Sequence, residues 1–482
     1  MANIDKQSVR SEVDKVKSEF ESLCAAGKVP DETRVLMRSL LMIMELILSI
    51  FMERKTRKDS SNSSLPPSQT PKDESALDAD SPGSHNKGKP CQPATVGNFR
   101  RVETVSISEV LFCDHCGEDL QAVDAHAHER RTKIDILFEK VVDHVDAQIK
   151  TCPACQEVTK GSFPADRPGP LQYGDGLKAF AINLLVCQMV SINRVQKLLK
   201  SMMGELLSEA TLLKFVLRLH QALEDWEQSA IEQIIAQPAL HVDETSFQVD
   251  RRKYWIHVYS SGRLTLKFLH RKRGKEAIRD IGIIPRYGGV TIHDCWASYL
   301  SYDHCGHGLC GSHLLRELTF VVDSNGYVWA RHMKQLLQKT CKQVSGQKDK
   351  KLDEKGYANL QKRYRTIITQ GEKELPPIPP KPSGKKGKIA KSDAHNLWER
   401  LEKHEAAVLR FAKDSHVAFT NNRAEQDLRM AKVKQKVSGC FRTVVYAHAY
   451  CRISSYLQTM ANQGVNPLIA IQMALAGNAG GE

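Results

Sequence analysis

Between about residues 237 and 300 the apolar residues alternate or run in short bursts, whereas most of the remaining chain repeats them at helical spacing. The stretches AQPALHVDETSFQV, KYWIHVYSS and RLTLKFLH, broken by polar turns, predict three antiparallel strands. The helix-like KEAIRDIG follows, and GGVTIHDCW predicts a fourth strand entering the same sheet. From Tyr173 to about Gln237 the pattern is helical: Ser191 opens one helix, Gly204 stops it, and Ser208 caps the next, ATLLKFVLRLHQAL. Two such helices around a glycine turn fit a DNA-binding helix-turn-helix and fit a plain helical scaffold equally well. Between Phe320 and Ala394 lies a helical, lysine-rich insertion ending in ELPPIPPKPSGKKGK, whose proline and Gly/Lys runs predict an exposed basic loop.

The N-terminal pattern differs. Residues 40–52 read LLMIMELILSIFM, followed by the basic ERKTRK. Thirteen residues interrupted by Glu45 fall short of the roughly 20 that a bilayer needs, and the apolar face is too broad for a lone solvated helix. Residues 1–53 are therefore expected to form a helical segment that self-associates, as a coiled coil or similar pair, with no membrane partner. Residues 54–100 are rich in Ser, Pro, Asp and Lys with Phe99 as their one aromatic, a composition expected of a flexible linker.

Charge and cysteine content narrow the function. Lys plus Arg total 69 against 56 Asp plus Glu, a net +13 that favours a polyanionic partner, most simply nucleic acid. The charged opening MANIDKQSVRSEVDKV is no secretory signal, and an odd total of 13 cysteines is reduced, cytoplasmic usage. Two pairs stand out, Cys113-Asp-His-Cys116 and Cys152-Pro-Ala-Cys155, separated by 35 residues. Four thiolates in paired CxxC turns suit a tetrahedral structural Zn²⁺, with TKIDILFEK and HVDAQIK as hairpin strands between them. His126, His128 and His144 are then packing or surface residues, and His115 is the competing ligand. No βαβ context supports thioredoxin-like chemistry instead.

Three acids carry the candidate chemistry: Asp243 in LHVDETSF, Asp294 in GVTIHDCWASY and Glu425 in FTNNRAEQDLR. Taken singly, each has an ordinary reading, because an aspartate after a strand caps turns and Asn422 with Glu425 fits a capping box. Taken together they form a two-metal carboxylate pattern, with Asp243 and Asp294 expected on neighbouring strands. Helical spacing from Glu425 puts Arg429, Lys432 and Lys436 on its face, a basic stripe suited to phosphates. The segment from His293 to His313 is dense in donors, and Cys305-x-His307-x-x-Cys310-x-x-His313 has the spacing of a further metal site. Trp296, beside the second acid, is expected to pack more than to stack on a base.

The chain resembles transposases of the insertion-sequence 66 family through HVDET, YWIHVYSS, GGVTIHDCWASY, LCGSHLLREL, NNRAEQDLR, GCFRT and SYLQTMANQGVNP, together with SSNSSLPPS and the CxxC pairs. It departs from the family at Gly311-Ser312, where Asn-Ala is expected, and in its unusually apolar N-terminal helix. The resemblance implies a multidomain protein with an α/β ribonuclease H-like catalytic core carrying a helical insertion, preceded by a small zinc-binding module and an N-terminal helical segment. The implied divisions are 1–53, the linker 54–100, the zinc module 101–160, a helical region 161–237, the catalytic domain 238–440 with insertion 320–394, and a C-terminal helical region 441–482. It further implies a DDE transposase that cuts DNA at mobile-element ends and joins them to target DNA, with Asp243, Asp294 and Glu425 binding Mg²⁺ or Mn²⁺. Cys310, His313, Arg316 and Glu317 would sit on a helix beside the site, with Arg316 steadying a phosphate. Homo-oligomers and accessory proteins of the same element are the implied protein partners. A catalytically silent zinc-containing DNA-binding protein, and a ribonuclease H-like nuclease without strand transfer, are the alternatives.

Overall fold

In the computed structural model, which describes residues 6–56, 58, 104–134, 140–204, 206–378 and 391–480, the strand-like bursts gather into one sheet. The chain runs α1 (Lys6–Ala25), α2 (Asp31–Lys55), β1 (Ile149–Thr151), β2 (Val158–Lys160), α3 (Asp175–Ile182) with a π-helical extension to Cys187, α4 (Ile192–Met203), α5 (Glu209–Ala222) and α6 (Glu224–Ile235). Then come β3 (Ala239–Val249), β4 (Arg252–Ser261), β5 (Leu264–His270), α7 (Lys275–Ile281), β6 (Val290–His293), β7 (Gly306–Leu309), α8 (Gly311–Asn325), α9 (Val328–Gly346) and α10 (Glu354–Glu374). The last are α11 (Asp393–Lys403), α12 (Glu405–Val408), α13 (Arg410–Lys413), α14 (Asn422–Ser438), α15 (Val444–Asn462) and α16 (Pro467–Leu475). Two compact units result: residues 1–87, 227–435 and 440–455, and residues 88–226, 436–439 and 456–482. The linker read over 54–100 lies almost wholly outside the described residues, as does most of the proline and Gly/Lys run before Lys391.

The sheet of the first unit has the order β5-β4-β3-β6-β7. β3, β4 and β5 form an antiparallel meander, while β6 and β7 run parallel to β3. The β3–β4 hairpin closes through Asp250 and Arg251, both at positive φ, the conformation a tight two-residue turn with right-handed strand twist demands. A parallel neighbour needs a crossover, and α7 provides it between β5 and β6. β7, Gly-His-Gly-Leu, was not among the expected strands, because it carries no β-branched residue to mark it.

One continuous core lies between β6–β7 and helices α8 to α13, built around Ile292, Leu318, Trp329, Met333, Tyr364 and Leu401, all essentially excluded from solvent. The segment expected as an insertion from residue 320 therefore shares the core of the sheet unit. α8 itself runs through Phe320 to Asn325, where Gly326 at φ 68° ends it. α10 and α11 cross closely: a Cβ on Gly371 would meet the Trp398 ring at 2.6 Å.

α1 and α2 form a helical hairpin joined by the ion pairs Lys17–Glu45, 2.6 Å, and Arg38–Glu21, 3.1 Å. Asp31–Glu53, 23 residues, is long and apolar enough by length and composition to cross a membrane, longer than the run counted from sequence. Its C-terminal half, however, is committed to protein contacts. Leu41, Leu46 and Met52 are buried, and the Glu53 carboxylate accepts the backbone N–H groups of Asp393 and Ala394 at the start of α11, plus the Asn325 amide at 3.3 Å. On the opposite face Leu36, Leu40, Ile43 and Ile47 are exposed at the 4-3-4 spacing of a coiled-coil seam.

In the second unit the two CxxC pairs adopt the same turn. Cys113 N–H donates to Glu118 O and Gly117 N–H to Cys113 O, both at 2.9 Å; Cys152 N–H donates to Glu157 O at 2.8 Å and Gln156 N–H to Cys152 O at 2.9 Å. Gly117 and Gln156, at the equivalent place, both have positive φ. β1 and β2 bracket the second knuckle, so HVDAQIK contributes only its last two residues to a strand. Of TKIDILFEK, residues 135–139 lie outside the described residues. The helices α3, α5 and α16 pack through Ala179, Leu212, Leu219 and Ile471, and α4 to α5 carry the expected signals: Gly204 left-handed at the first stop, Ser208 capping Thr211 N–H at 3.0 Å.

Candidate active site

The placement of the two aspartates follows from strand register. β3 and β6 are parallel neighbours with His241 opposite Ile292, and two further residues along that register bring Asp243 abreast of Asp294. Adjacent strands are about 4.8 Å apart, which sets Asp243, midway along β3, beside Asp294, the first residue beyond β6. Asp243 feels the result: burial, then the charges of Glu244, Asp294 and Glu425, raise its pKa well above the usual carboxylate range.

Glu425 arrives on the first turn of α14, and a buried asparagine fixes that helix against the sheet. Asn421 donates from Nδ2 to Val242 O at 2.8 Å, pairs through Oδ1 with His241 Nδ1 at 3.0 Å, and gives its backbone N–H to Cys310 Sγ at 3.1 Å. Further along, Asp427 accepts Ser260 Oγ at 2.6 Å and Thr265 Oγ1 at 2.9 Å, which ties α14 across β4 and β5. Asn422 lies within the helix, and Glu425 Oε1 is buried without a hydrogen-bond partner, so the carboxylate is not consumed in a capping box. The other nearby acids are engaged elsewhere: Asp427 as above, and Glu317 with Arg400. Sequence reasoning missed Asn421, whose only signal was a polar residue just before the helix.

The loop behind Asp294 is held by a chain of neutral imidazoles. His293, fully buried, accepts Cys295 N–H at Nδ1, 3.1 Å; its Nε2 then carries the proton and donates to His307 Nδ1 at 3.1 Å, and His307 Nε2 donates to Tyr302 O at 3.1 Å. Burial lowers the His293 pKa to about 3. Cys305 is spent on Tyr302 O. The spacing Cys305-x-His307-x-x-Cys310-x-x-His313 thus does not make one metal site, because its first half is consumed by these bonds. Cys295, at φ 70°, is a non-glycine in the left-handed region directly after the acid, the kind of backbone strain found where a site must be held.

Glu244, next to Asp243, is a fourth acid that the sequence reading passed over. Buried, it ion-pairs with Arg273 at 2.7 Å and accepts the Tyr299 hydroxyl at 2.7 Å. Burial is the main cause of its raised pKa. Arg273 lies over both Trp255, 5.0 Å, and Trp296, 4.4 Å. Trp296 therefore packs on this cation and edge-on to Tyr299.

The expected basic residues are at the surface. Arg429, Lys432 and Lys436 are exposed on α14, and Arg316 is half-buried on α8. Gly311, a departure from the family pattern, has a local reason: its N–H reaches Phe419 O at 2.7 Å, and a Cβ there would overlap the Phe419 ring. Among the described residues, the group of three or more metal-type donors that closes to within 4.8 Å is Cys310, His313 and Glu425. The four knuckle thiols form no such group, each pair standing in its own turn.

A family model described as Transposase IS66 family matches residues 170–449, more than half of the chain. No curated protein matches it. The matched stretch contains the entire five-stranded sheet, the helix of His313 and Arg316, and the helix of Glu425, and the chain that carries them belongs to the IS66 family of transposases, enzymes that process DNA.

Proposed function

We propose that this transposase is of the DDE type, with Asp243, Asp294 and Glu425 as the acids that hold divalent metal while DNA is cut at the element ends and joined to a target. What supports the reading is the placement of the acids: Asp243 on β3, Asp294 one residue beyond the parallel β6, both Asp294 and Glu425 near enough to raise the Asp243 pKa, and a Glu425 helix pinned to β3 by Asn421. The strand order, a three-strand antiparallel meander extended by two parallel strands, supports a ribonuclease H-like core.

The residues suit a hard divalent cation. Burial first, then neighbouring negative charge, raises the Asp243 pKa, and Glu425 keeps a buried oxygen with no proton donor; a bound cation would offset both conditions. When bound, Mg²⁺ or Mn²⁺ supplies the charge that favours deprotonation of an attacking water or 3′-hydroxyl and neutralises the leaving oxygen. The chain's own part is to hold the acids still, through the register of β3 and β6, the His293–His307 chain and the Asn421 clamp, and to present Arg316, Arg429, Lys432 and Lys436 to phosphate.

Three further assignments accompany this reading. Cys113, Cys116, Cys152 and Cys155 hold a structural Zn²⁺; the matching knuckle turns, with backbone N–H groups that lower the pKa of Cys113 and Cys152, favour thiolates there. The α4–α5 pair contacts DNA as a helix-turn-helix. The exposed seam of α2 joins two copies. The test is a metal-dependent assay on DNA bearing the element's own ends: Asp243→Asn and Asp294→Asn should bind DNA and neither cut nor join it. Cut product that is never joined would support the nuclease alternative, and DNA binding without any cutting by the wild type would support the silent one.

A further inference from the structure

Cys310 is the N-cap residue of α8 and His313 lies in that helix's first turn, three residues on and so on one face; Glu425 faces them from the first turn of α14. Their donor atoms all lie within 4.8 Å of one another. Two of them are orphans. His313 Nδ1 and Glu425 Oε1 are buried, 3.6 Å apart, and neither has a hydrogen-bond partner. With the imidazole neutral and its proton on Nε2, Nδ1 and the carboxylate oxygen are both acceptors and cannot satisfy each other; in the other tautomer 3.6 Å is too long for a hydrogen bond. The third donor, Cys310 Sγ, is buried at the N-terminus of α8 and accepts the Asn421 N–H at 3.1 Å; burial raises its pKa and keeps it a thiol until a cation binds. Three metal-type donors thus converge, and no hydrogen bond joins His313 Nδ1 to Glu425 Oε1.

We propose that Cys310, His313 and Glu425 form a binding site for a thiophilic divalent cation of the Zn²⁺ class, distinct in chemistry from the all-carboxylate pair Asp243 and Asp294. Donors about 2.0–2.3 Å from one tetrahedral ion stand roughly 3.3–3.8 Å apart. His313 Nδ1 and Glu425 Oε1, 3.6 Å apart, already meet that condition, and Cys310 Sγ lies within 4.8 Å of a donor atom of each. A sulfur, an imidazole nitrogen and one carboxylate oxygen select Zn²⁺ over Mg²⁺, which prefers oxygen throughout. On binding, the Cys310 S–H bond breaks, its proton leaves to solvent and the sulfur–metal bond forms; His313 stays neutral with its proton on Nε2. Three protein ligands leave a fourth position for water. Glu425 is common to this site and to the proposed acid triad, so an ion here draws that carboxylate away from the aspartates. The site itself stands whether or not Glu425 also serves phosphodiester chemistry.

Cobalt titration of the metal-stripped full-length protein, with Mg²⁺ in large excess, tests it, because thiolate-bound Co²⁺ absorbs in the near ultraviolet and oxygen-bound Mg²⁺ is silent. Cys310→Ser should bind one equivalent of Co²⁺ fewer than the wild type and lose the corresponding near-ultraviolet band. His313→Ala and Glu425→Gln should weaken that same equivalent by about tenfold or more, while Cys152→Ser, at the knuckles, should leave it in place. Asp243→Asn should keep the equivalent while losing cleavage, which separates this inference from the triad. A folded Cys310→Ser protein with wild-type cobalt stoichiometry and spectrum overturns the proposal. So does unchanged cobalt affinity in His313→Ala, which decides the matter if Cys310→Ser does not fold.

Discussion

His257 and His293 are fully buried imidazoles on two strands of the sheet, with burial holding their pKa values near 4 and 3. An unfolded histidine titrates near 6.5. A folded value below the unfolded one contributes stability that is fully present above pH 6.5 and is lost as pH falls toward the folded pKa, by about 1.4 kcal/mol per pH unit for each group. Urea unfolding of the sheet unit should therefore show falling stability between pH 6.5 and 4. His257→Gln should flatten the slope by about 1.4 kcal/mol per pH unit; an unaltered slope would mean that His257 is protonated in the folded protein. Such roles are hidden from sequence. The histidines of the His293–His313 stretch looked like metal ligands, and only the fold reveals that His293 and His307 are spent on each other and on Tyr302.

At the scale of elements, the position of Glu425 depends on how α14 meets β3. Asn421→Ala removes the amide that serves Val242 O and His241, leaving buried groups unpaired; we expect a loss of about 2–4 kcal/mol in stability. Because Asn421 is a positioning residue, activity should fall further than the unfolded fraction explains, and Asn421→Asp, which keeps one acceptor, should recover part of the fold without the Val242 bond. Equal loss of fold and activity would make Asn421 merely structural. α2 allows a test confined to one face. Leu40→Glu with Ile47→Glu should lower the mass found by light scattering and leave α2 docked through Leu41, Leu46 and Glu53; an unchanged mass would remove α2 from the assembly. β3 to β6 were legible because apolar alternation and turn residues mark them, and α4 and α5 because Ser191, Gly204 and Ser208 punctuate them. β7 was not, since two of its four residues are glycine. The docking of α2 was not legible either, because Glu53 finds its donors at Asn325, Asp393 and Ala394, 272 to 341 residues away.

At the scale of the whole molecule, a DNA-processing core and a unit bearing two cysteine knuckles belong to one basic chain of net charge +13. If one Zn²⁺ joins the four knuckle thiols, anaerobically purified protein should contain it, and Cys152→Ser should lower the thermal stability of the second unit while the sheet unit unfolds as before. Zinc-free protein with both transitions intact would refute the assignment. The central claim is that Glu425 completes an acid triad with Asp243 and Asp294, and the most direct measurement is cleavage and joining by Glu425→Gln on DNA carrying the element ends. Glutamine keeps the size and shape of glutamate, removes the charge and exchanges one acceptor oxygen for an amide NH2. The account predicts a folded protein that binds this DNA normally and has lost both reactions by at least about 100-fold, some 2.7 kcal/mol of barrier. A folded Glu425→Gln protein that joins DNA at near wild-type rate would contradict it.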